Sequence, residues 1–143
     1  MNGAQIRVSI TEVTPFTISG IIHALTKKQD LARAASDAII LRLRRRYMQS
    51  VDAHGNKFPD TEAAKKRIRR GGIPWYDTGA LYESIKAAPG GVASIKIKAD
   101  AKSKAGFDYA SYVQDKTNFM SYNRDDVIQA RDVVRRILER SKR

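Results

Sequence analysis

Between Asp30 and Ser50 the chain has no Gly or Pro, good helix formers dominate, and Ala32, Ala35, Ile39, Leu43 and Tyr47 recur at helical spacing. A stripe of that length has to be covered, so the spacing predicts a long helix over 30–50 against which the rest of the chain packs. A second apolar line, Ala34, Leu41 and Met48, runs along nearly the opposite side. One face serves the core. The other is either covered by the chain itself or is a subunit interface.

The remaining elements are read from shorter signals. Ile6, Val8 and Ile10 alternate with Arg7, Ser9 and Thr11, which predicts a half-buried strand within 5–13, and Pro15 and Gly20 are expected to interrupt regular structure after it. Residues 83–99 read as a hairpin turning at Pro89-Gly90-Gly91, with Ala93, Ile95, Ile97 and Ala99 alternating with Ser94, Lys96 and Lys98. A further strand is expected around Phe107 to Val113. The stretch 123–140 predicts a helix, with Asn123 as cap, Asp125 and Asp126 in the first turn, and an apolar face of Val127, Ala130, Val134, Ile137 and Leu138. The 143 residues suit one domain, since domains usually run to about 100 to 200 residues. The expected fold is α+β, a small antiparallel sheet packed by a long helix and a C-terminal helix.

Charge narrows the function. The 27 Lys and Arg exceed the 15 Asp and Glu, giving a formal net charge of +12, which favours polyanionic surroundings. Residues 1–72 hold 14 basic and 6 acidic residues, and residues 73–143 hold 13 and 9, so the surplus lies mainly in the first half. Lys65, Lys66, Arg67, Arg69 and Arg70 crowd together ahead of Gly71-Gly72. They predict a mobile basic loop over 61–75 that faces DNA or an acidic partner, or that simply stays solvated. Arg42, Arg44, Arg45 and Arg46 suit the C-terminal dipole of the long helix. Trp75, Tyr76 and Tyr82 flank the basic stretch and read as core more readily than as a base-stacking platform.

Catalytic chemistry finds few residues. His23 and His54 are not in a ligand spacing, Asp52-x-His54 falls in a turn-forming stretch, and Asp125 and Asp126 suit helix capping. There is no P-loop, nucleophile elbow or dinucleotide fingerprint. No Cys is present, so disulfides, thiol nucleophiles and cysteine-ligated zinc are excluded. No apolar run approaches the ~20 residues that span a bilayer, and the first residues do not read as a secretion signal. No cofactor and no enzymatic activity are expected. A nuclease using Asp125, Asp126 or His54 is the enzymatic alternative.

One ordered set of motifs gives a specific expectation. The turn Asp52-Ala53-His54-Gly55-Asn56-Lys57-Phe58-Pro59 is followed by the basic stretch and then by Tyr76-Asp77-Thr78-Gly79-Ala80-Leu81-Tyr82-Glu83-Ser84-Ile85. Further on comes Tyr109-Ala110-Ser111-Tyr112-Val113-Gln114. In order and spacing this resembles the virion-morphogenesis and tail-completion proteins of tailed bacteriophages, with a D-G-x-x-W/F-P turn, an L-x-D-T-G-x-L-x-x-S-I segment and a Y-A-x-x-x-E/Q strand end. The matching positions are Gly55, Phe58, Pro59, Asp77, Thr78, Gly79, Leu81, Ser84, Ile85, Tyr109 and Ala110. Asp115-Lys116-Thr117 replaces the family's usual F-G. The resemblance implies a structural virion protein made in the host bacterial cytoplasm. It would be a neck subunit, commonly in a hexameric ring, between head-closure or connector proteins and tail-terminator or tail-tube proteins. The ring would surround genomic double-stranded DNA. The competing expectation is a sequence-independent DNA-binding protein that works without a ring.

Overall fold

A computed structural model of the chain describes residues 4–9, 18–76, 79–90, 94–102 and 106–140. Strand β1 (Ala4–Ser9) is followed by α1 (Ile18–Met48), α2 (Glu62–Arg69), α3 (Ala80–Ser84), β2 (Lys86–Pro89), β3 (Ser94–Ala99), α4 (Tyr109–Thr117) and α5 (Arg124–Arg140). The antiparallel sheet has the order β1-β3-β2. α1 packs on the sheet and also against α5, which makes the α+β arrangement that the sequence predicts.

The register follows the apolar alternation, because a slip by one residue would turn every side chain to the wrong face. Ile6 pairs with Ile97, Val8 with Ile95, and Ala87 with Ile97. Ile95, Ile97 and Ala99 are buried beneath α1, whose stripe Ala32, Ala35, Ile39, Leu43 and Tyr47 is buried throughout. Thirty-one residues at about 1.5 Å each make α1 about 46 Å long, more than twice the length of the six-residue strands it covers.

Several boundaries differ from expectation. Gly20 lies inside α1, which begins at Ile18; a lone Gly is tolerated where helix formers continue on both sides. Ile10, Thr11, Val13 and Pro15 lie outside the described residues, as do Gly91 and Ala93 at the hairpin turn. Glu83 and Ser84 belong to α3 and not to the hairpin.

The basic stretch expected as a loop is the helix α2. The Thr61 hydroxyl caps it by accepting from the Ala64 N–H at 3.1 Å, Glu62 lies in the first turn, and Ala64 is fully buried. The strand expected around Phe107 is the helix α4. Asp108 caps it, accepting from the Ser111 N–H at 3.0 Å and from its hydroxyl at 2.8 Å, and Ala110, Val113 and Thr117 share a buried helical face. At α5 the expected Asn123 cap forms a reciprocal box: its Oδ1 accepts from the Asp126 N–H and its own N–H donates to Asp126 Oδ2, both at 2.9 Å.

Candidate functional site

The motif residues of three separate segments meet around Tyr47. The Phe58 ring lies 6.0 Å from that of Tyr47 and edge-on to Trp75 at 6.3 Å, while Phe119 meets Tyr47 edge-on at 5.7 Å. Tyr47 donates its hydroxyl to the Trp75 carbonyl, and Trp75 Nε1 donates to the Pro59 carbonyl at 3.1 Å. Burial, with a smaller contribution from nearby Tyr109, pushes the Tyr47 phenol well above its usual range, so it remains a donor. Leu81, Ile85 and Ala110 complete the same core. Trp75 is therefore a core residue, and Tyr82 stacks edge-on with Tyr76 and lies under the Arg44 guanidinium, 5.2 Å from its ring.

The turn before this core is built by Asp52. Its Oδ1 accepts from the backbone N–H of His54 at 2.8 Å and of Asn56 at 3.0 Å, and its Oδ2 accepts from the Asn56 side chain at 3.2 Å. Burial alone would raise the Asp52 carboxyl, but these donors outweigh it and hold the group below its usual range. Asp52 is thus engaged in the turn, while His54 is exposed. Among the described residues no group of three or more His, Asp or Glu is placed to hold a metal.

Gly79 precedes α3 with φ +86°, and a Cβ there would lie 2.6 Å from the Tyr76 hydroxyl. Asp77 and Thr78, two of the motif positions, lie outside the described residues. Ser84 donates its hydroxyl to the Leu81 carbonyl at 2.7 Å, and the Tyr109 N–H donates to the Ala101 carbonyl at 3.0 Å. Tyr47, Tyr76, Gly79, Tyr82 and Tyr109 border a cleft of about 280 Å³, with Arg67 and Lys102 at its wall.

The five cations expected to act together are divided. Lys65, Lys66, Arg69 and Arg70 are exposed on α2 and its C-cap. Arg67 turns the other way and donates to the Pro74 carbonyl at 2.8 Å. Lys65 has Glu62 at 3.5 Å, an exposed pair; Lys66, Arg69 and Arg70 form no ion pair among the described residues.

The arginines ending α1 are mainly structural. Arg44 donates to the Ile85 carbonyl at 2.9 Å, and Arg42 and Arg46 reach Asp126 on α5, while Arg45 is exposed. Asp126 is completely buried, unlike its exposed neighbour Asp125. Burial would raise its carboxyl, yet hydrogen bonds from Arg46, Arg42 and the Asn123 N–H prevail and lower it. No expectation from the sequence covers this centre. Its signal was the pair Arg42 and Arg46, one turn apart beside the apolar stripe, together with an acid three residues after a capping Asn.

Of the second apolar line on α1, Leu41 is 65% exposed while Ala34 and Met48 are half-buried. No helix among the described residues is long and apolar enough to cross a membrane. Comparison with protein-family models, curated proteins and solved structures finds no match to the chain.

Proposed function

We propose that this chain is a non-enzymatic structural protein of a tailed bacteriophage, a tail-completion or neck subunit that forms a ring joining the head connector to the tail around the DNA channel. The observation that carries the proposal is the convergence at Tyr47. Phe58, then Leu81 and Ile85, then Ala110 come from three motifs well apart in sequence, and all are buried in one core. That burial is what packing positions of a shared fold require. These residues pack and turn the chain; as a set they offer packing and no chemistry. The proposed ring is probed at the exposed Leu41, on the apolar line of α1 that faces away from the core.

A second function is favoured by the free cations of α2: sequence-independent DNA binding without a ring. Cryo-electron microscopy of the native particle separates the two. The assembly role is expected to appear as a symmetric ring of this chain at the neck, in contact with connector and tail proteins. Absence of the chain from particles would sink it and bring the free DNA-binding protein forward.

A further inference from the structure

The sheet holds a concentration of positive charge on the face turned away from α1. Antiparallel pairing sets Arg7 directly opposite Lys96 and Lys86 directly opposite Lys98. These residues alternate with Ile6, Val8, Ile95, Ile97 and Ala87, which pack into the core, so the four cations leave by the other face. Arg7 and Lys86 are exposed, and Lys96 and Lys98, on the central strand, are half-buried. None of the four forms an ion pair among the described residues. Asp100 continues the row past the end of β3, exposed and likewise outside any described ion pair.

Like charges directly opposite each other weaken a strand pair. Two such pairs share the central strand here, where an acid or a Thr at one position of each would serve folding better. We propose that Arg7, Lys86, Lys96 and Lys98 form a plate that binds the phosphate backbone of duplex nucleic acid, the anion relieving the repulsion. Cations two residues apart on a strand stand about 7 Å apart, and strands lie about 4.8 Å apart. Four cations so spaced can each reach a phosphate of a polymer that presents one charge per about 1.7 Å of axis. Gln5, Ser9 and Ala88 share the face with the cations. They supply neither the aromatic platform that unpaired bases need nor the apolar anchor on which a protein interface centres. The contact is thus with backbone and is blind to sequence.

This inference deepens the assembly proposal, on which it rests for the identity of the polyanion, yet the two can fail separately. Duplex binding by the purified full chain is followed by fluorescence anisotropy across a KCl series, with duplexes of two unrelated sequences. Replacing all four residues (Arg7→Gln, Lys86→Gln, Lys96→Gln and Lys98→Gln) is expected to reduce the slope of log K against log salt by about 3 to 4 for both sequences. A set with the same net charge on α5, Arg124→Gln, Arg131→Gln, Arg136→Gln and Arg140→Gln, is expected to change it by less than about 1. Lys86→Arg, Lys96→Arg and Lys98→Arg together should keep the slope, and thermal melting of the Gln set should equal or exceed wild type. An unchanged slope in the sheet set, an equal fall in both sets, or loss of binding in the Arg set would overturn the proposal. So would a sheet set that binds DNA normally but is excluded from particles, which would assign the plate to an acidic protein. Mass spectrometry of purified virions tests the assembly proposal by itself, since absence of the chain there leaves the duplex measurement standing.

Discussion

Arg46 holds Asp126 with both arms of its guanidinium, Nη1 to Oδ1 at 2.7 Å and Nη2 to Oδ2 at 2.9 Å. Arg42 Nε adds a contact to Oδ1 at 2.5 Å, and Arg46 Nη2 also donates to the Ser121 carbonyl at 3.0 Å. Because Asp126 belongs also to the cap of α5, one carboxylate fixes where that helix starts and how it lies on α1.

Removing that carboxylate leaves two arginines short of their partner. Since both guanidiniums retain some access to water, Asp126→Ala is expected to cost about 2 to 3 kcal/mol, below the range for a fully buried pair. Asp125→Ala, at the exposed neighbour, should stay within about 0.5 kcal/mol beyond any loss at the helix dipole. Urea unfolding of both variants checks the contrast.

Acid should destabilise the protein in part through the same group. The Asp126 and Asp52 carboxyls lie below their usual range when folded, so unfolding raises their proton affinity. Their contribution is fully present above the unfolded carboxylate value of about 3.9 and is lost as pH falls through the lower folded values. Melting temperature measured from pH 7 down to pH 2 should therefore fall less steeply for Asp126→Asn than for wild type.

Two glycines separate backbone strain from crowding. Gly55 has φ +82° with open space where a Cβ would sit, whereas Gly79 has φ +86° and the Tyr76 hydroxyl in the way. Gly55→Ala is expected to cost about 1 kcal/mol from the left-handed backbone alone, and Gly79→Ala more. Adding Tyr76→Phe to Gly79→Ala should recover part of the difference, because the ring carbon Cζ still lies 3.1 Å from the new Cβ, and none of the common part. Equal losses at the two glycines would show that the Tyr76 contact carries no weight.

Leu41 tests the proposed ring without touching the core. Leu41→Asn should change the stability of the isolated chain by no more than about 0.5 kcal/mol, because the side chain is mostly solvated already. Incorporation into particles, scored by immunoblot of purified virions, is expected to drop. Normal incorporation would remove this face from the interface.

The buried stripe of α1, the hairpin alternation and the Asn123 cap were all legible in the sequence, because each depends on residues a few positions apart. Residues 107–113 read as a strand for a related reason. Over so short a window Phe107, Tyr109 and Val113 fit strand alternation while Ala110, Val113 and Thr117 fit the helical period, and the Asp108 cap tips the balance to helix. In 61–70 the run of charge hid an ordinary helix signal, Thr61 followed by Glu62-Ala63-Ala64 with no Gly or Pro before Gly71.

Local spacing thus determined which segments of this protein carry apolar faces, since helical and strand periods are properties of neighbouring residues. Tertiary structure decided which charges meet. Arg42 and Asp126 are 84 positions apart, and nothing in either neighbourhood specifies the other. Arg7 faces Lys96 only because the apolar residues on the reverse of both strands lock the register, and Lys86 joins them through the hairpin. Burial of the apolar face selects one pairing of the strands, and the cations on the opposite face are carried into that arrangement with it.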